Sequence, residues 1–366
     1  MSMFESRIKS LQDLIPTHEV DAFLITSPYN IAYLTGIRAF SIEEREARML
    51  VTKDYAYLFT DARYVGMLND KKFIVLREIN SENPFSKQLI KILEKEKINE
   101  IGFEEENITY GEVSDLEEKL KKADLVPLVD IVEELRMVKD NDEITFVTKA
   151  CQLTDKGFEY IQKFLKSGVT ELEVKIQLEN FMRGEGGSLS FESIVAFGIN
   201  AAIPHHLSNN SKLKTTDLVL LDFGAKVEGY CSDMTRMVFI GQPSKELEKM
   251  YTATKEAQEI ALDYLKTHMK DDFEAKKAHE LANSHLKAVG FTQIPHGLGH
   301  GVGLQVHEMP SLSPYSEGEL MPGTVVTVEP GVYAPEIGGI RIEDTILITQ
   351  DGIEILTKSP KELTVL

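Results

Sequence analysis

Four carboxylates stand in stretches that otherwise read as buried strand. Asp222 sits among apolar neighbours in DLVLLDFG, Asp233 follows in GYCSDMTRMVFIG, Glu329 ends TVVTVEP, and Glu343 lies inside GGIRIEDTILIT. Burying an isolated charge is costly unless it is paired, hydrogen-bonded or bound to a metal, so each of the four asks for a partner. Gly224 and Gly229 bracket a turn that folds Asp233 back towards Asp222 across a hairpin, and Pro330 with Gly331 lets Glu343 return beside Glu329 in the same way. Alternation along GGIRIEDTILIT places Ile340, Ile342, Ile346 and Ile348 on one face and Arg341, Glu343 and Thr345 on the other.

Four converging carboxylates without basic partners repel one another, and each pKa climbs. Two divalent cations resolve that repulsion. Oxygen-rich ligands with one imidazole suit Mn(II), Fe(II), Co(II) or Zn(II), and carboxylates bridging two ions about 3.5–4 Å apart can clamp and activate a hydrolytic water. Taken alone, Asp222 and Asp233 are equally well explained by hairpin capping or by ion pairs with Arg236; Glu329, Glu343 and an imidazole tip the balance to metal.

The imidazole comes from one of two loops, which hold five of the nine histidines: His205 and His206 in NAAIPHHLSNN, and His296, His300 and His307 in PHGLGHGVGLQVHEMP. His18, His268, His279 and His285 fall in helix-like or surface contexts, where a satisfied or solvated ring is the ordinary outcome. Glycines at 297, 299, 301 and 303 alternate around His300, leaving room for close backbone approach to a ligand or metal; a strained structural turn is the plainer alternative.

The elements that must position these residues come in two textures. Up to about Val129 the chain alternates short strands and helices, with DAFLIT, RMLVT, YAYLF, FIVLR and IGFEE as strands and PYNIAYLTG as helix, which predicts a small α/β domain. A boundary falls near Leu128 to Asn141. A long amphipathic helix then carries Phe146, Cys151, Phe158, Ile161 and Phe164, and a second helix runs from Glu171 to Met182. Beyond Gly184, glycine-broken strands lead to two helices at roughly Glu246 to His268 and Asp272 to Val289, then to strands again. The order helix, helix, strands occurs twice, so the second half reads as an α+β domain with an antiparallel sheet, internally duplicated around a cleft.

With these segments in hand, LLDFGAKVEGYCSDMTR, HGLGHGVGLQVHEMP, VVTVEPGVY and GGIRIEDT together resemble the metal-dependent pita-bread peptidases, the group of aminopeptidase P, prolidase and methionine aminopeptidase. The resemblance covers about Lys139 to Leu356. DAFLITSPYNIAYLTG and FTDARY resemble the accessory domain of the Xaa-Pro branch and of creatinase. The resemblance implies a creatinase-type α/β domain over 1–130 and a pita-bread catalytic domain, with a pseudo-two-fold antiparallel sheet, over 139–358.

It further implies two divalent ions per subunit, Mn(II) foremost, held by Asp222, Asp233, His300, Glu329 and Glu343, with Asp233 and Glu343 as bridges. Glu329 would act as base while a metal-bridging water attacks the scissile carbonyl, and His205 and His307 would contact substrate and stabilise the tetrahedral intermediate. His296, Tyr333 and Arg341 would shape the pocket, while His206 has no counterpart and ranks as a neighbour; for Tyr333 a packed aromatic is the plainer alternative. The substrates implied are Xaa-Pro dipeptides, or peptides with proline second, and the assembly a homodimer. A non-catalytic binding protein on the same fold and a creatinase-like amidinohydrolase are the rival readings.

Composition agrees with this class. At 366 residues, with 42% apolar and 27% charged residues, the chain is long enough for two globular domains. A net charge of -19 disfavours nucleic acid and anionic membrane surfaces, and the Lys119 to Lys122 run in EEKLKK reads as a solvated helix face. Two cysteines, Cys151 and Cys231, are too few for a disulfide framework, and the charge-interrupted N-terminus gives no signal or spanning segment, so a cytoplasmic protein is expected.

Overall fold

In the computed structural model, which describes residues 2–68, 71–268, 274–316 and 320–366, the apolar runs become the middle strands of sheets. Contacts divide the chain into two units, Met1–Arg136 and Met137–Leu366.

In the first unit six strands pair in the order Val75–Glu78, Ala56–Thr60, Ala47–Thr52, Ala22–Ile25, Glu100–Glu104 and Asp124–Leu128. Only Ala47–Thr52 runs antiparallel to its neighbours; the outer pairs are parallel and connected through helices. Leu24, Leu50, Tyr57, Phe59, Leu89 and Ile101 pack into one fully buried core beneath that sheet. Beside it, Glu104 is buried with every nearby donor turned to it: the backbone N–H groups of Thr26 and Ser27 at 2.6 and 2.7 Å and the Asn30 amide at 2.6 Å.

The second unit opens with two helices started by capping boxes. Asp140 caps Asn141–Ile161 with Glu143 reaching back, and Thr170 caps Glu171–Gly184 with Glu173 doing the same. Phe164 falls beyond the first helix, in the tight turn Gln162–Phe164, because the helical ladder ends at Ile161. Later come Lys245–Thr267 and Ala275–Ala288; Asp272, placed in the fourth helix from sequence, lies outside the described residues. The repeated order of two helices then strands is present.

Two sheets follow these helix pairs. One runs Thr364–Val365, Met234–Ile240, Asp217–Phe223, Ile194–Phe197; the other runs Glu308–Leu312, Gly299–Gly301, Val325–Val328, Asp344–Thr349, Gly352–Ile355. Neighbours are antiparallel except for Thr364–Val365 against Met234–Ile240. The central strands of the two sheets are tied at one point: the Glu343 N–H donates to Thr235 O at 3.2 Å, and the Thr345 hydroxyl donates to Asp233 O at 2.7 Å.

One stretch departs from its expected form. GGIRIEDTILIT is two strands rather than one, with Gly338–Arg341 pairing to Gly331–Ala334 and Asp344–Thr349 to Val325–Val328. The break falls at Ile342 and Glu343, where Glu343 leaves its own sheet to bond Thr235. Alternation survives the break, so Arg341, Glu343 and Thr345 still share a face, although it is a buried one.

Candidate metal centre

The two hairpins place their carboxylates by register. Thr235 pairs with Asp222, so Asp233, two residues earlier, lies diagonally beyond Asp222; Glu228 and Gly229, both at positive φ, form the two-residue turn of a small hairpin inserted between them. In the other sheet Val328 pairs with Asp344, and the next step along that ladder sets Glu329 against Glu343. Each half also needs a glycine where the strands crowd. A Cβ on Gly224 would meet Ser232 O at 1.9 Å, and one on Gly299 would meet Thr327 O at 1.9 Å. Gly299 and Gly301 thus admit neighbouring backbone, a Cβ on Gly301 meeting Met309 O at 2.2 Å, while one on Gly303 would meet the Glu308 carboxylate; none of the four glycines around His300 has a left-handed φ. The strained turn is not what the structure contains, whereas Gly297 and Gly299 line the cavity, as close approach to a ligand requires.

The ligand atoms of Asp233, His300 and Glu343 lie within 4.8 Å of one another. His300 Nε2 is 3.6 Å from Asp233 Oδ2 and 3.3 Å from Glu329 Oε1. Its other ring nitrogen donates to Gly301 O at 3.1 Å, which fixes the ring with Nε2 facing the carboxylates. The His300 backbone N–H donates to the Thr327 hydroxyl, and that hydroxyl donates to Glu329 at 3.1 Å, so one threonine holds both residues.

Asp222 is turned differently. Its Oδ2 accepts from the Arg341 guanidinium at 2.5 Å, so its ion-pair partner is Arg341, whereas Arg236 pairs with Asp344 at 2.6 Å. Arg341 also donates to the Thr235 hydroxyl at 3.1 Å and to Tyr333 Oη at 2.9 Å, and Thr235 passes its own proton to Glu343 Oε2 at 2.6 Å. Tyr333 is thus no mere packed aromatic: its hydroxyl links Arg341 to His296, 2.9 Å away, whose Nδ1 donates to Gly297 O.

The electrostatics describe a site short of positive charge. Burial, then Glu343 and Asp222, raises the Asp233 pKa well above the usual carboxylate range. Burial, then Glu329 and Asp222, does the same for Glu343. Asp222 is raised by burial despite Arg341. Burial pushes Glu329 up, but the hydrogen bond and charge of His300 together with the charges of His296 and Arg341 leave it low; burial pushes His300 down, but the bond and charge of Glu329, the Gly301 carbonyl and Asp222 together leave it above an ordinary histidine. Asp233 Oδ1 is buried and has no hydrogen-bond partner. An orphaned carboxylate oxygen, a crowd of acids and one oriented imidazole fit hard or borderline divalent cations.

These groups line a cavity of about 550 Å³ together with His205, His296 and His307, and Phe191, Ile194, Pro204 and Val306 supply apolar wall. His307 packs edge-on to His300 at 4.3 Å between ring centres, and partial burial, then His300, lowers its pKa. His205 is exposed at the cavity. His206, a buried neighbour on the same wall, has its Nε2 engaged by buried Glu171 at 2.8 Å. Sequence reasoning put Thr345 on the face of Glu343 without giving it a role and missed Thr235 and Thr327, whose signal was their alternation, two residues away, with Asp233 and Glu329.

Residues 145–350 match metallopeptidase family M24, and residues 7–138 match the creatinase/prolidase N-terminal domain. The chain belongs to metallopeptidase family M24. Relatives in this family span it end to end: a Xaa-Pro dipeptidase of Pyrococcus horikoshii is 32% identical, covering 99% of this chain and all of its own. A solved Xaa-Pro dipeptidase from Bacillus anthracis superposes at TM-score 0.92 with 35% identity, over 99% of this chain and all of that one. An X-Pro aminopeptidase from Thermotoga maritima reaches 0.87 with 32% identity, over 98% and 100%. The fold is thus the pita-bread fold behind a creatinase-type N-terminal domain, and the protein is an M24 metallopeptidase. Divalent metal ions are the cofactor class of such a protein, and no helix among the described residues is long and apolar enough to cross a membrane.

Proposed function

We propose that this M24 enzyme hydrolyses Xaa-Pro bonds with two divalent ions, Mn(II) foremost and Co(II), Zn(II) or Fe(II) as alternatives, held by Asp222, Asp233, His300, Glu329 and Glu343. The observation that carries the metal assignment is the buried, unpartnered Asp233 Oδ1 amid carboxylates whose pKa values are driven upward by one another. When bound, such ions supply Lewis acidity and an activated water. Asp222 reaches that role by sharing itself with Arg341, which spends one of its two oxygens. The catalytic domain in this reading spans 139–358 and the accessory domain 1–130, in a cytoplasmic homodimer; two buried free cysteines fit a reducing compartment.

The residues divide the work. Glu329, kept ionised by His300 and oriented by Thr327, accepts the proton released as the scissile carbonyl is attacked. His307, kept neutral by its low pKa, donates to the developing oxyanion, and His205 lies against the substrate backbone. His296, Tyr333 and Arg341 form a hydrogen-bonded chain that fixes the pocket wall and ends on Asp222. Proline has no amide N–H to offer, so its ring must be read by shape, and the apolar wall of Phe191, Ile194, Pro204 and Val306 is suited to that.

The reading is tested on purified protein by metal analysis beside assays of Ala-Pro, Ala-Pro-Ala and creatine. Metal-dependent cleavage of a proline substrate is expected, with Asp233→Asn losing bound metal and turnover together. Turnover retained by that variant, or creatine hydrolysis without metal, overturns it.

A further inference from the structure

The cavity carries one cation that the reaction described above leaves idle. Lys175, on the helix Glu171–Gly184, lines the cavity with its side chain 16% exposed. Its ammonium stands 4.0 Å from Glu179 Oε1 and 3.5 Å from Glu192 Oε2. Both distances are long for an N–H···O bond, so the ammonium is held by charge in two loose ion pairs and can take a closer acceptor. Glu192 has its side chain 81% exposed and is free to turn into solvent.

A second unused group stands on the same wall. Ser193 is 2% exposed, lines the cavity, and has a buried hydroxyl without a hydrogen-bond partner. Its backbone N–H donates at 3.2 Å to Glu179 Oε1, the oxygen that also faces Lys175. The ammonium and the Ser193 backbone thus face the same Glu179 oxygen, and the unpartnered Ser193 hydroxyl belongs to a residue of the same cavity wall. The other guanidinium or ammonium on the cavity wall, that of Arg341, is committed to Asp222, Thr235 and Tyr333.

An ammonium without a close hydrogen bond and an unpartnered hydroxyl, both from residues of one cavity wall, suit an anionic acceptor. In a chain of net charge -19 whose cavity wall already carries five carboxylates, an anionic substrate group needs such a cation to enter at all. An Xaa-Pro dipeptide bears a carboxylate on the residue after the scissile bond; a longer peptide bears a neutral amide there. We propose that Lys175, assisted by the Ser193 hydroxyl, binds the terminal carboxylate of an Xaa-Pro dipeptide and so makes this enzyme a dipeptidase. The proposal rests on the Xaa-Pro reading above. On arrival the substrate carboxylate takes the place of Glu192 beside the ammonium.

The test uses the full-length, metal-loaded protein and compares Ala-Pro, Ala-Pro amide and Ala-Pro-Ala. The wild type is expected to favour Ala-Pro over its amide about tenfold or more in kcat/KM, the scale of one charge-assisted hydrogen bond. Lys175→Met should cut that ratio by about the same factor through KM, with Lys175→Arg restoring part of it, and Glu192→Gln should lower KM for Ala-Pro by removing the competing carboxylate. An Ala-Pro to amide ratio in Lys175→Met equal to that of the wild type overturns the proposal, as does a wild type that prefers Ala-Pro-Ala. Metal-loaded wild type that cleaves none of the three defeats the Xaa-Pro reading itself, and the proposal with it. Cleavage of all three without discrimination leaves that reading standing and removes only the carboxylate site.

Discussion

Glu343 and Asp344 are consecutive, almost wholly buried, and treated in opposite ways. Asp344 points to the back of its strand, where Arg236 and Lys361 each donate at 2.6 Å and Thr357 and Gln258 add bonds at 3.0 and 3.2 Å. Its pKa lies below the ordinary carboxylate value, since those two cations outweigh burial. Glu343, on the cavity side, has the Thr235 hydroxyl as a donor and other carboxylates as neighbours, and its pKa is driven well up. A buried acid that holds the fold together is surrounded by donors; one kept for a metal is left short of them. Glu104 in the N-terminal unit is a third case, with its donors supplied by neutral N–H groups: its pKa is raised by burial, and no metal is required.

The largest effect that contrast predicts is on stability. Asp344→Ala leaves Arg236 buried, 2% exposed, without its counter-charge, and should cost about 3–5 kcal/mol in denaturant unfolding, the range for breaking one side of a buried ion pair. Glu343→Gln, one residue away and equally buried, should leave the metal-free protein as stable as the wild type or more so, because it removes a repelled charge. Equal losses in the two variants would show that the two faces of the strand are not distinguished in this way.

The next effect reads the same contrast through pH. Asp344 has a depressed folded-state pKa, so its contribution is complete above the unfolded carboxylate value and is lost as pH falls through the folded one. Asp233 and Glu343 have raised folded-state values, so their contribution is present below the unfolded value and is lost as pH rises through the folded ones. The metal-free protein should therefore have a melting temperature that rises out of strong acid and falls again towards neutrality. Saturating divalent metal should abolish the neutral-side fall, because the ions replace the missing counter-charge. A melting curve of metal-free protein flat from weak acid to neutrality would contradict the raised values.

How much of this was legible beforehand follows from what alternation can convey. Asp222, Asp233, Glu329 and Glu343 announced themselves as charges in apolar strands, and the turns at Gly229 and Pro330 announced that the strands return. Alternation tells which face a side chain takes, but not which distant element covers that face. Arg236 was therefore a reasonable candidate partner for Asp222, yet it lies on the side of its strand facing Asp344, and Arg341 from the other half of the unit fills the place. That Gly299 and Gly301 also admit neighbouring strands, through Thr327 and Met309, could not be read, because the pairing that brings those strands there is invisible in local sequence. Lys175 drew no notice in the sequence for the same reason: the segment around Glu192 that brings it to the cavity is remote in the pattern.

The smallest effect is expected where the two faces communicate. Thr235 pairs across its hairpin with Asp222, accepts from Arg341, donates to Glu343, and gives its carbonyl to the Glu343 N–H. Thr235→Val keeps the shape and the backbone bond but removes the hydroxyl, leaving Arg341 and Glu343 each one partner short. A loss of about 1 kcal/mol in stability is expected, the net worth of an ordinary hydrogen bond. Metal affinity should fall further, by about 10–100-fold, as for other groups that orient a ligand without binding the ion. Because Asp344 faces away from Thr235, its ion pair should be untouched, and the acid limb of the melting profile should superpose on the wild type. A shift in that limb would mean that the cavity and the ion-pair cluster behind it are one network rather than two.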